Sequence, residues 1–519
     1  MLKRLALTCY RRRGRVLIAW IVGIFILGGL VSAVGTGYRS DFSLPDVESK
    51  RGFDILDERF GGQGGGQVGN IVFQAEQGVE DPAVRETMEP FLAEVAQIQN
   101  VQAVKSPYDP ANPGQISQSG AIAFAEIEAP FDATFEETVE VGRQIREAMP
   151  TLQGLRIELG GQSFAEFEVP SSEALGIGFA IIILIIAFGS VLAMGLPIGV
   201  ALAGIFSGSI LTGLLSQVVS MPDFAQTIGV MIGLGVGIDY ALFIVTRFRE
   251  NLHKGHSVES STLVAMETAG RAVLFAGTTV VISLMGLLIM QLSFISGMAI
   301  GMATVVAMTL LASLTLLPAL LGFAGERIEV TRRRGLIAAG LVAVGLIGVG
   351  LGIPALMGVM VPIAVIVLLA SLAVPPLRKR VLEREPKPLR ETLSYRWSRV
   401  IQRRPWPAVI LGTVVLLLLA VPILSLRLGF SDEGNYPEDT TTRQAYDLLA
   451  EGFGPGFNGP LVLASELPQG FADADLQGVT DAIQADEGVQ FVSQAFTNED
   501  GTAALWRVIP TTAPQDSET

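Results

Sequence analysis

The sequence GLGVGIDY, residues 233–240, lies inside an apolar run that extends from about Ala225 to Val245. A run of this length is long enough to cross a bilayer as a helix. Asp239 is the one carboxylate in the run, and a charge at membrane depth costs at least ~2.5 kcal/mol on insertion scales. Such an acid usually faces a bundle interior or a polar path. Together with the phenol of Tyr240, the pattern predicts a proton-relay helix; the alternative is a structural aspartate that is hydrogen-bonded within the bundle.

Three alternating glycines, Gly233, Gly235 and Gly237, come before the acid. Because they carry no side chain, they allow a neighbouring helix to approach the backbone closely. Phe243 follows Asp239 by one turn on a similar face, and it is a candidate for packing at the relay or an ordinary core residue. The glycine face therefore predicts tight helix packing beside the acid.

The composition of the chain is that of a membrane protein. Half of its 519 residues are apolar, the mean hydropathy is positive, and several uninterrupted apolar runs have the length of a membrane span. The net charge of −14 is concentrated outside these runs, while arginines flank them, which argues against a nucleic-acid partner. We therefore expect a multi-pass protein of the plasma membrane whose basic loops lie in the cytoplasm.

The sequence contains no motif that predicts a cofactor or a metal site. Cys9 is the one cysteine, so a disulfide within the chain is excluded. His253 and His256 share a basic loop without the ligand pattern of a metal site. The sequence contains no GxxxxGK[ST] phosphate loop and no GxSxG elbow. We expect neither an enzyme nor a cofactor, and ATP is not expected to drive the protein.

The apolar runs and their basic flanks divide the chain into six parts. These are a basic cytoplasmic tail with the first transmembrane helix (1–37), an extracytoplasmic domain (38–173), a five-helix transmembrane bundle (174–325), a cytoplasmic linker (326–400) that contains an apolar hairpin (335–374), the first transmembrane helix of a second repeat (401–425), and an incomplete second extracytoplasmic domain (426–519). The arginines at both ends of the hairpin predict that it returns to the cytoplasm.

The first polar domain has alternating strand and helix patterns. The predicted strands are Val68–Ala75, Val101–Lys105, Ala121–Ala129 and Leu155–Leu159, and the predicted helices are Pro82–Gln97 and Ala133–Ala148. The order βαββαβ is that of the ferredoxin-like fold. The fold class is therefore a polytopic α-helical membrane protein with α+β ferredoxin-like domains outside the cytoplasm.

The second polar domain begins like the first. Tyr446-Asp447-Leu448-Leu449 resembles Phe53-Asp54-Ile55-Leu56, and the arginines at 403–404 open an apolar run as those at 11–15 do. This similarity predicts two parallel repeats, since an even number of crossings separates them. The pattern of the second domain stops before its second helix, so we expect a truncated repeat.

The chain resembles the MMPL (mycobacterial membrane protein large) family of the resistance–nodulation–division transporter superfamily. The glycine-rich helix that ends in Asp239-Tyr240 carries this resemblance, together with Thr268-Ala269-Gly270-Arg271 and the next apolar helix. The resemblance implies that the polar domains are porter-type domains, that Asp239 carries a proton and that Tyr240 orients it. Ser283 resembles a hydroxyl position of the same relay, with Thr278 and Thr279 as nearby alternatives.

The family pattern implies export of lipids or other hydrophobic molecules across the inner membrane, driven by proton influx. The partners would be a hydrophobic substrate, protons and membrane lipids; the pattern leaves a homo-oligomer or accessory proteins open. Two alternatives remain: a multidrug or amphiphile efflux pump of the same superfamily, and a non-transporting sterol-sensor-like or scaffold protein. The sequence departs from the family pattern in two features, the absence of a second Asp-Tyr pair and the presence of the hairpin 335–374.

Overall fold

The computed structural model describes residues 2–38, 47–60, 67–110, 112, 114–130, 135–165, 172–222, 224–329, 333–371, 390, 393–426, 431–468, 473–498, 500–517 and 519. The chain forms two compact units. One comprises residues 1–45 and 168–387, and the other comprises residues 46–167 and 388–519.

The helices are named in chain order. They are α1 (Leu2–Arg11), α2 (Arg13–Val34), α3 (Glu48–Phe60), α4 (Pro82–Val95), α5 (Phe135–Ala148), α6 (Ser172–Phe188), α7 (Val191–Leu215), α8 (Phe224–His253), α9 (Val258–Met285), α10 (Ser293–Ala324), α11 (Arg333–Gly350), α12 (Pro354–Ala370), α13 (Leu393–Arg403), α14 (Pro405–Ala420), α15 (Thr441–Phe453) and α16 (Asp473–Gln484). The strands are β1 (Gln67–Ala75), β2 (Ala103–Lys105), β3 (Ile122–Ala129), β4 (Leu155–Gly160), β5 (Leu461–Glu466), β6 (Val489–Val492), β7 (Phe496–Thr497) and β8 (Ala503–Pro510).

The first unit is a helical bundle. Within the described residues, seven helices are long and apolar enough to span a membrane: α2, α7, α8, α9, α10 and α11 in this unit, and α14 in the other. The bundle centre is formed by α7, α8 and α10, whose contacts depend on small residues. A Cβ atom on Gly204 would lie 2.5 Å from Thr309 Cα, and one on Gly208 would lie 2.7 Å from Val305 Cα. The backbones of α7 and α10 therefore lie in direct contact.

The apolar stretch after the bundle forms two packed helices, α11 and α12. Their turn has Gly352 at φ +77° and Pro354 at the start of α12, a sequence that ends one helix and begins the next. α11 also packs along α6, where a Cβ atom on Gly178 would lie 3.0 Å from the carbonyl oxygen of Ala343. Most of the predicted linker beyond residue 371 lies outside the described residues.

The second unit contains two antiparallel sheets. Sheet 1 has the strand order β2-β3-β1-β4, and sheet 2 has the order β5-β8-β6, with β7 also paired to β8. In sheet 1, β1 pairs Ile71 with Ala125 and with Leu159. These residues point to the face that is covered by α4 and α5, where they form a fully buried core with Phe73, Met88 and Ile145.

Each sheet also receives a helix from the other half of the unit. α15 covers the second face of sheet 1, where its residues Ala445, Leu448 and Leu449 form a buried cluster with Val72 and Phe124. α3 packs beside β5 of sheet 2. There Arg59 donates a hydrogen bond to Glu466 at 2.9 Å, and the rings of Phe60 and Phe496 lie 6.0 Å apart.

Three short helices were not among the predicted elements: α1 in the basic tail, α3 at the start of the first polar domain, and α13 at the end of the cytoplasmic linker and the start of the next apolar run. Their charged residues mask the apolar stripe in a hydropathy pattern. α1 lies against α9 and α10 with Ala6 and Cys9 buried, and Arg11 donates a hydrogen bond to Glu259 at 3.0 Å. The predicted basic tail is therefore an ordered part of the bundle.

Candidate proton-relay site

Asp239 lies on an exposed stripe of α8. Met231, Gly235, Asp239 and Phe243 are spaced four residues apart and are all exposed. The stripe runs along one side of the helix because residues i and i+4 share a face. The carboxylate therefore points away from the packed interior of the first unit, toward a groove between α8 and α6.

Tyr240 lies on a packed side of α8. Its side chain is 8% exposed and belongs to the buried cluster that includes Val273 and Leu310. A Cβ atom on Gly277 of α9 would lie 3.1 Å from Tyr240 Cε2, so the ring fits against a glycine on the neighbouring helix. A single residue step of 100° thus separates an acid in a groove from a phenol in the core.

The three alternating glycines of α8, Gly233, Gly235 and Gly237, occupy different environments. A Cβ atom on Gly233 would lie 2.7 Å from Val305 Cγ1, and one on Gly237 would lie 2.9 Å from Ala201 Cβ. These two glycines allow α8 to pack closely against α10 and α7. Gly235 has no neighbouring heavy atom within 4 Å of its Cβ direction, so its missing side chain leaves open space in the groove.

The other predicted site residues lie on exposed helix faces. Phe243 is 52% exposed. Ser283, Thr278 and Thr279 are exposed on α9, and the Thr279 hydroxyl donates to the carbonyl oxygen of Phe275 at 2.8 Å. The described contacts bring Tyr240 to α9 at Gly277, not at any of these three hydroxyls.

The groove beside Asp239 has a volume of about 360 Å³. It is lined on α6 by Ser172, Glu173, Gly176 and Ala180 and on α8 by Met231, Leu234, Gly235, Ile238, Asp239 and Leu242. Two carboxylates thus line one cavity whose walls are otherwise mainly apolar. Glu173 is not among the residues predicted for the site, although a carboxylate at the start of an apolar run is a visible signal.

A charge cluster fixes the end of α8 that follows Asp239. Arg249 donates two hydrogen bonds to Glu329, each 2.8 Å long, and a third to the carbonyl oxygen of Phe188 at 3.3 Å. His253 Nε2 lies 3.5 Å from the same carboxylate. The Arg249 and Glu329 side chains are only 15% and 18% exposed, so this pair connects α8 to the ends of α6 and α10. The sequence showed Arg249 only as one of several basic residues in a loop.

The second unit contains a separate cavity of about 160 Å³ between sheet 1, α15 and β8. Its lining combines carboxylates, amides and aromatic rings, among them Asn70, Phe124, Glu126, Glu433, Tyr446, Phe457, Asn458 and Arg507. Burial and the nearby charge of Asp432 raise the pKa of Glu433, although backbone hydrogen bonds oppose the shift. Among the described residues, no group of three or more His, Cys, Asp or Glu side chains is placed to hold a metal ion.

Comparison with known proteins places this site in a family context. Residues 41–337 match the family model for the MMPL family. The chain is 30% identical over 521 residues to the membrane protein YdfJ of Bacillus subtilis, covering 98% of this chain and 64% of YdfJ. It is 28% identical over 474 residues to the putative membrane protein SCO6666 of Streptomyces coelicolor, covering 88% of this chain and 58% of that protein.

A third relative has a named substrate. The trehalose monomycolate exporter MmpL3 of Mycobacterium tuberculosis is 29% identical over 321 residues, which cover 60% of this chain and 30% of the exporter. The chain therefore spans less than two thirds of the length of each of these relatives. The family match over 41–337 includes the Asp239-Tyr240 helix, and the similarity to YdfJ extends over nearly the whole chain. The chain belongs to the MMPL family of membrane transporters, within the resistance–nodulation–division superfamily.

Proposed function

We propose that this protein exports lipids or other hydrophobic molecules across the plasma membrane and that proton influx drives the export. The observation that carries the proposal is the placement of Asp239 and Tyr240. The carboxylate lies in a mainly apolar groove beside a helix that is long and apolar enough to span a membrane, while the adjacent phenol packs against α9 and α10. An ionisable group in such a place is costly, so its presence supports a role in proton movement.

The physical basis of coupling is the change of charge on Asp239. Protonation removes a negative charge from an apolar wall, and this alters the relative stability of two helix packings. Close contacts at Gly233 and Gly237 would transmit a movement of α8 to α7 and α10, because packed interfaces do not deform continuously. The polar domains would follow the bundle.

The sheets support the assignment of porter-type domains. In sheet 1, β1 lies between β3 and β4 and pairs antiparallel with both, and β2 pairs antiparallel with β3. This arrangement, with α4 and α5 on one face, fits a ferredoxin-like domain. In sheet 2, β5, β8 and β6 pair in the same way as β1, β3 and β2, which supports a second, related repeat. We infer that both domains lie outside the cytoplasm, as the arginine distribution favours.

A relative and the cavity in the second unit support the proposed substrate class. The exporter MmpL3 is named for a glycolipid, trehalose monomycolate, which supports a lipid substrate here. The cavity in the second unit, with Phe124 and Phe457 beside Glu433 and Asn458, provides both apolar and hydrogen-bonding surface. Such a lining suits an amphiphilic molecule better than a simple ion.

The test replaces the two relay residues in the full-length protein. Asp239→Asn keeps the size and hydrogen-bonding capacity of the side chain but cannot change charge, so proton-driven export should stop. Tyr240→Phe removes one hydroxyl and should reduce export less completely. Transport of NBD-labelled phosphatidylethanolamine is measured in proteoliposomes under an imposed pH gradient, with ethidium as a second probe for amphiphile efflux.

Asp439→Asn, an exposed aspartate outside the bundle, is the control for the chemical change itself. Unchanged gradient-dependent transport by Asp239→Asn would show that the acid is structural and would end the proton-driven proposal. Transport of ethidium without movement of the lipid would favour the efflux-pump alternative.

A further inference from the structure

The groove between α6 and α8 contains a second carboxylate, Glu173, that the relay itself does not use. Glu173 lies in the first turn of α6, and its Oε2 is 3.3 Å from the Ser172 hydroxyl. It lines the same cavity as Asp239. The cavity therefore has one carboxylate near a helix start and another at mid-helix.

The two carboxylates lie at different depths. α6 and α8 run in the same direction, because α7 lies between them in sequence and each successive span reverses. Gly176 is level with Leu234, since a Cβ atom on Gly176 would lie 3.2 Å from Leu234 Cδ2. Glu173 is about one turn above this level and Asp239 about one and a half turns below it, so they are separated by about 12 Å along the helix axes.

The space between the carboxylates is kept open by small residues. Gly176, Ala180 and Gly235 line the middle of the groove, and a Cβ atom on Gly235 would meet nothing within 4 Å. A groove of about 360 Å³ has room for roughly ten waters, and waters in contact at hydrogen-bond distance would span 12 Å with about four. Apolar side chains such as Ile238 and Leu242 form the remaining wall, which makes the passage unfavourable for a hydrated ion.

Resting on the proton-driven function proposed above, we infer that this groove is the outer half of the proton path and that Glu173 is its entry carboxylate. A proton from external water binds the Glu173 carboxylate, passes along hydrogen-bonded water, and protonates the Asp239 carboxylate. Glu173 then returns to its charged form. Only O–H bonds are exchanged in these steps, so no oxidant or other reactant is needed.

The first test measures proton flux, using pyranine trapped in proteoliposomes that contain the full-length protein under an imposed pH gradient. Glu173→Gln should lower the initial rate by about ten-fold or more, and Glu173→Asp should retain most of it, because only a titratable group can pass a proton. Glu250→Gln, at the other end of α8, is the matched control and should leave the rate unchanged.

The second test blocks the groove without changing any carboxylate. Gly235→Leu places a side chain into open space, so the helix should still fold while proton flux falls. Gly199→Leu is the matched control, since Gly199 is an exposed helical glycine on α7 that also has nothing within 4 Å of its Cβ direction. This control should keep full flux.

A third measurement does not depend on transport. In a Cys9→Ala background, Gly235→Cys should react with a membrane-impermeant methanethiosulfonate reagent added outside, because thiol ionisation requires water. Gly199→Cys, which lies outside the lining of this groove, should not react. An unreactive position 235 would mean that the groove is filled by lipid and would overturn the inference.

The outcomes separate the two proposals. If Asp239→Asn stops proton flux while Glu173→Gln and Gly235→Leu retain it, the relay stands and the path through this groove is wrong. If Asp239→Asn itself retains full flux, both proposals fail, because the path ends at that carboxylate.

Discussion

Asp239 and Tyr240 show how one residue step on a helix can divide two roles. The carboxylate shares an open face with Gly235, whereas the phenol is enclosed with Val273 and Leu310. A buried ring anchors α8 against α9, so the acid beside it is held at a fixed depth in the groove. In the proposed relay, Tyr240 would therefore position Asp239 together with the close helix contacts at Gly233 and Gly237.

Glu433 provides a residue-scale prediction about pH and stability. Burial and the charge of Asp432 raise its pKa, so the folded state binds this proton more tightly than the unfolded state does. Ionisation of Glu433 therefore lowers the free energy of unfolding as the pH rises above the unfolded-state pKa of about 4.3. The loss of stability is complete once the pH exceeds the folded-state pKa. Glu433→Gln should raise the Tm of the detergent-solubilised protein at pH 7.5, and this gain should disappear below about pH 4.

The control for Glu433 is Glu438→Gln, an exposed carboxyl a few residues away. It should leave the Tm unchanged at both pH values. An equal Tm for wild type and Glu433→Gln at pH 7.5 would contradict the prediction.

At the residue scale, the sequence indicated which residues are candidates for the site better than it indicated what surrounds each of them. Asp239 and Tyr240 are visible as polar groups in an apolar run, and the insertion cost of the carboxylate makes Asp239 the candidate relay acid. The separate tasks of Gly233, Gly235 and Gly237 were not predictable, because they depend on which of α6, α7 and α10 lies opposite each one. That information arises only from tertiary packing.

At the scale of elements, the hairpin α11–α12 acts as a support for α6. Gly178 allows the α11 backbone to approach α6, and Gly350 lies so close to Leu175 that a Cβ atom there would be 2.2 Å from Leu175 Cγ. α6 forms one wall of the groove that contains Glu173. The hairpin, which has no assigned role in the sequence pattern, therefore holds one side of the candidate proton path.

Gly178→Leu tests this support. Its side chain would collide with Ala343 and Ile347, so α11 must move away from α6 and the wall of the groove should loosen. We expect a lower Tm and faster hydrogen exchange in peptides from α6 and α11. Gly358→Leu, on the open side of α12, adds the same side chain without a neighbour within 4 Å and should change neither measurement.

The prediction would be contradicted if Gly178→Leu exchanged as slowly as wild type in α6.

The sequence predicted helices correctly where the apolar runs are long: these runs form α2 and α6–α10. It failed for α1, α3 and α13, because short helices with many charges depend on a tertiary partner more than on hydropathy. α1, for example, forms ion pairs with α9 through Arg11 and Glu259 and through Lys3 and Glu267.

At the scale of the whole molecule, the second unit joins segments that are more than 300 residues apart. β3 of sheet 1 presents Ile122 and Phe124 on the face opposite α4 and α5, and α15 covers that face. The sequence similarity between the 53–56 and 446–449 segments indicated that each precedes a sheet. It did not show that the later segment packs on the earlier sheet, because an amphipathic stripe specifies an apolar face and not its partner.

The packing of α15 on sheet 1 can be tested with two matched substitutions, one in α15 and one in α16, which should each loosen a different sheet. Leu448 of α15 and Leu476 of α16 are 3% and 8% exposed, so Leu→Ala at either site should cost about 2–4 kcal/mol of local stability. Leu448 packs with Val72 and Phe124 of sheet 1, whereas Leu476 packs with Trp506 of sheet 2.

Leu448→Ala should therefore accelerate hydrogen exchange in β1 and β3 more than in β8, even though α15 follows β3 by more than 300 residues. Leu476→Ala should accelerate exchange in β8 and spare β1. If Leu448→Ala instead loosened β8 and left β1 and β3 protected, α15 would belong to the sheet that follows it in sequence, and the two halves of the unit would not be interlocked.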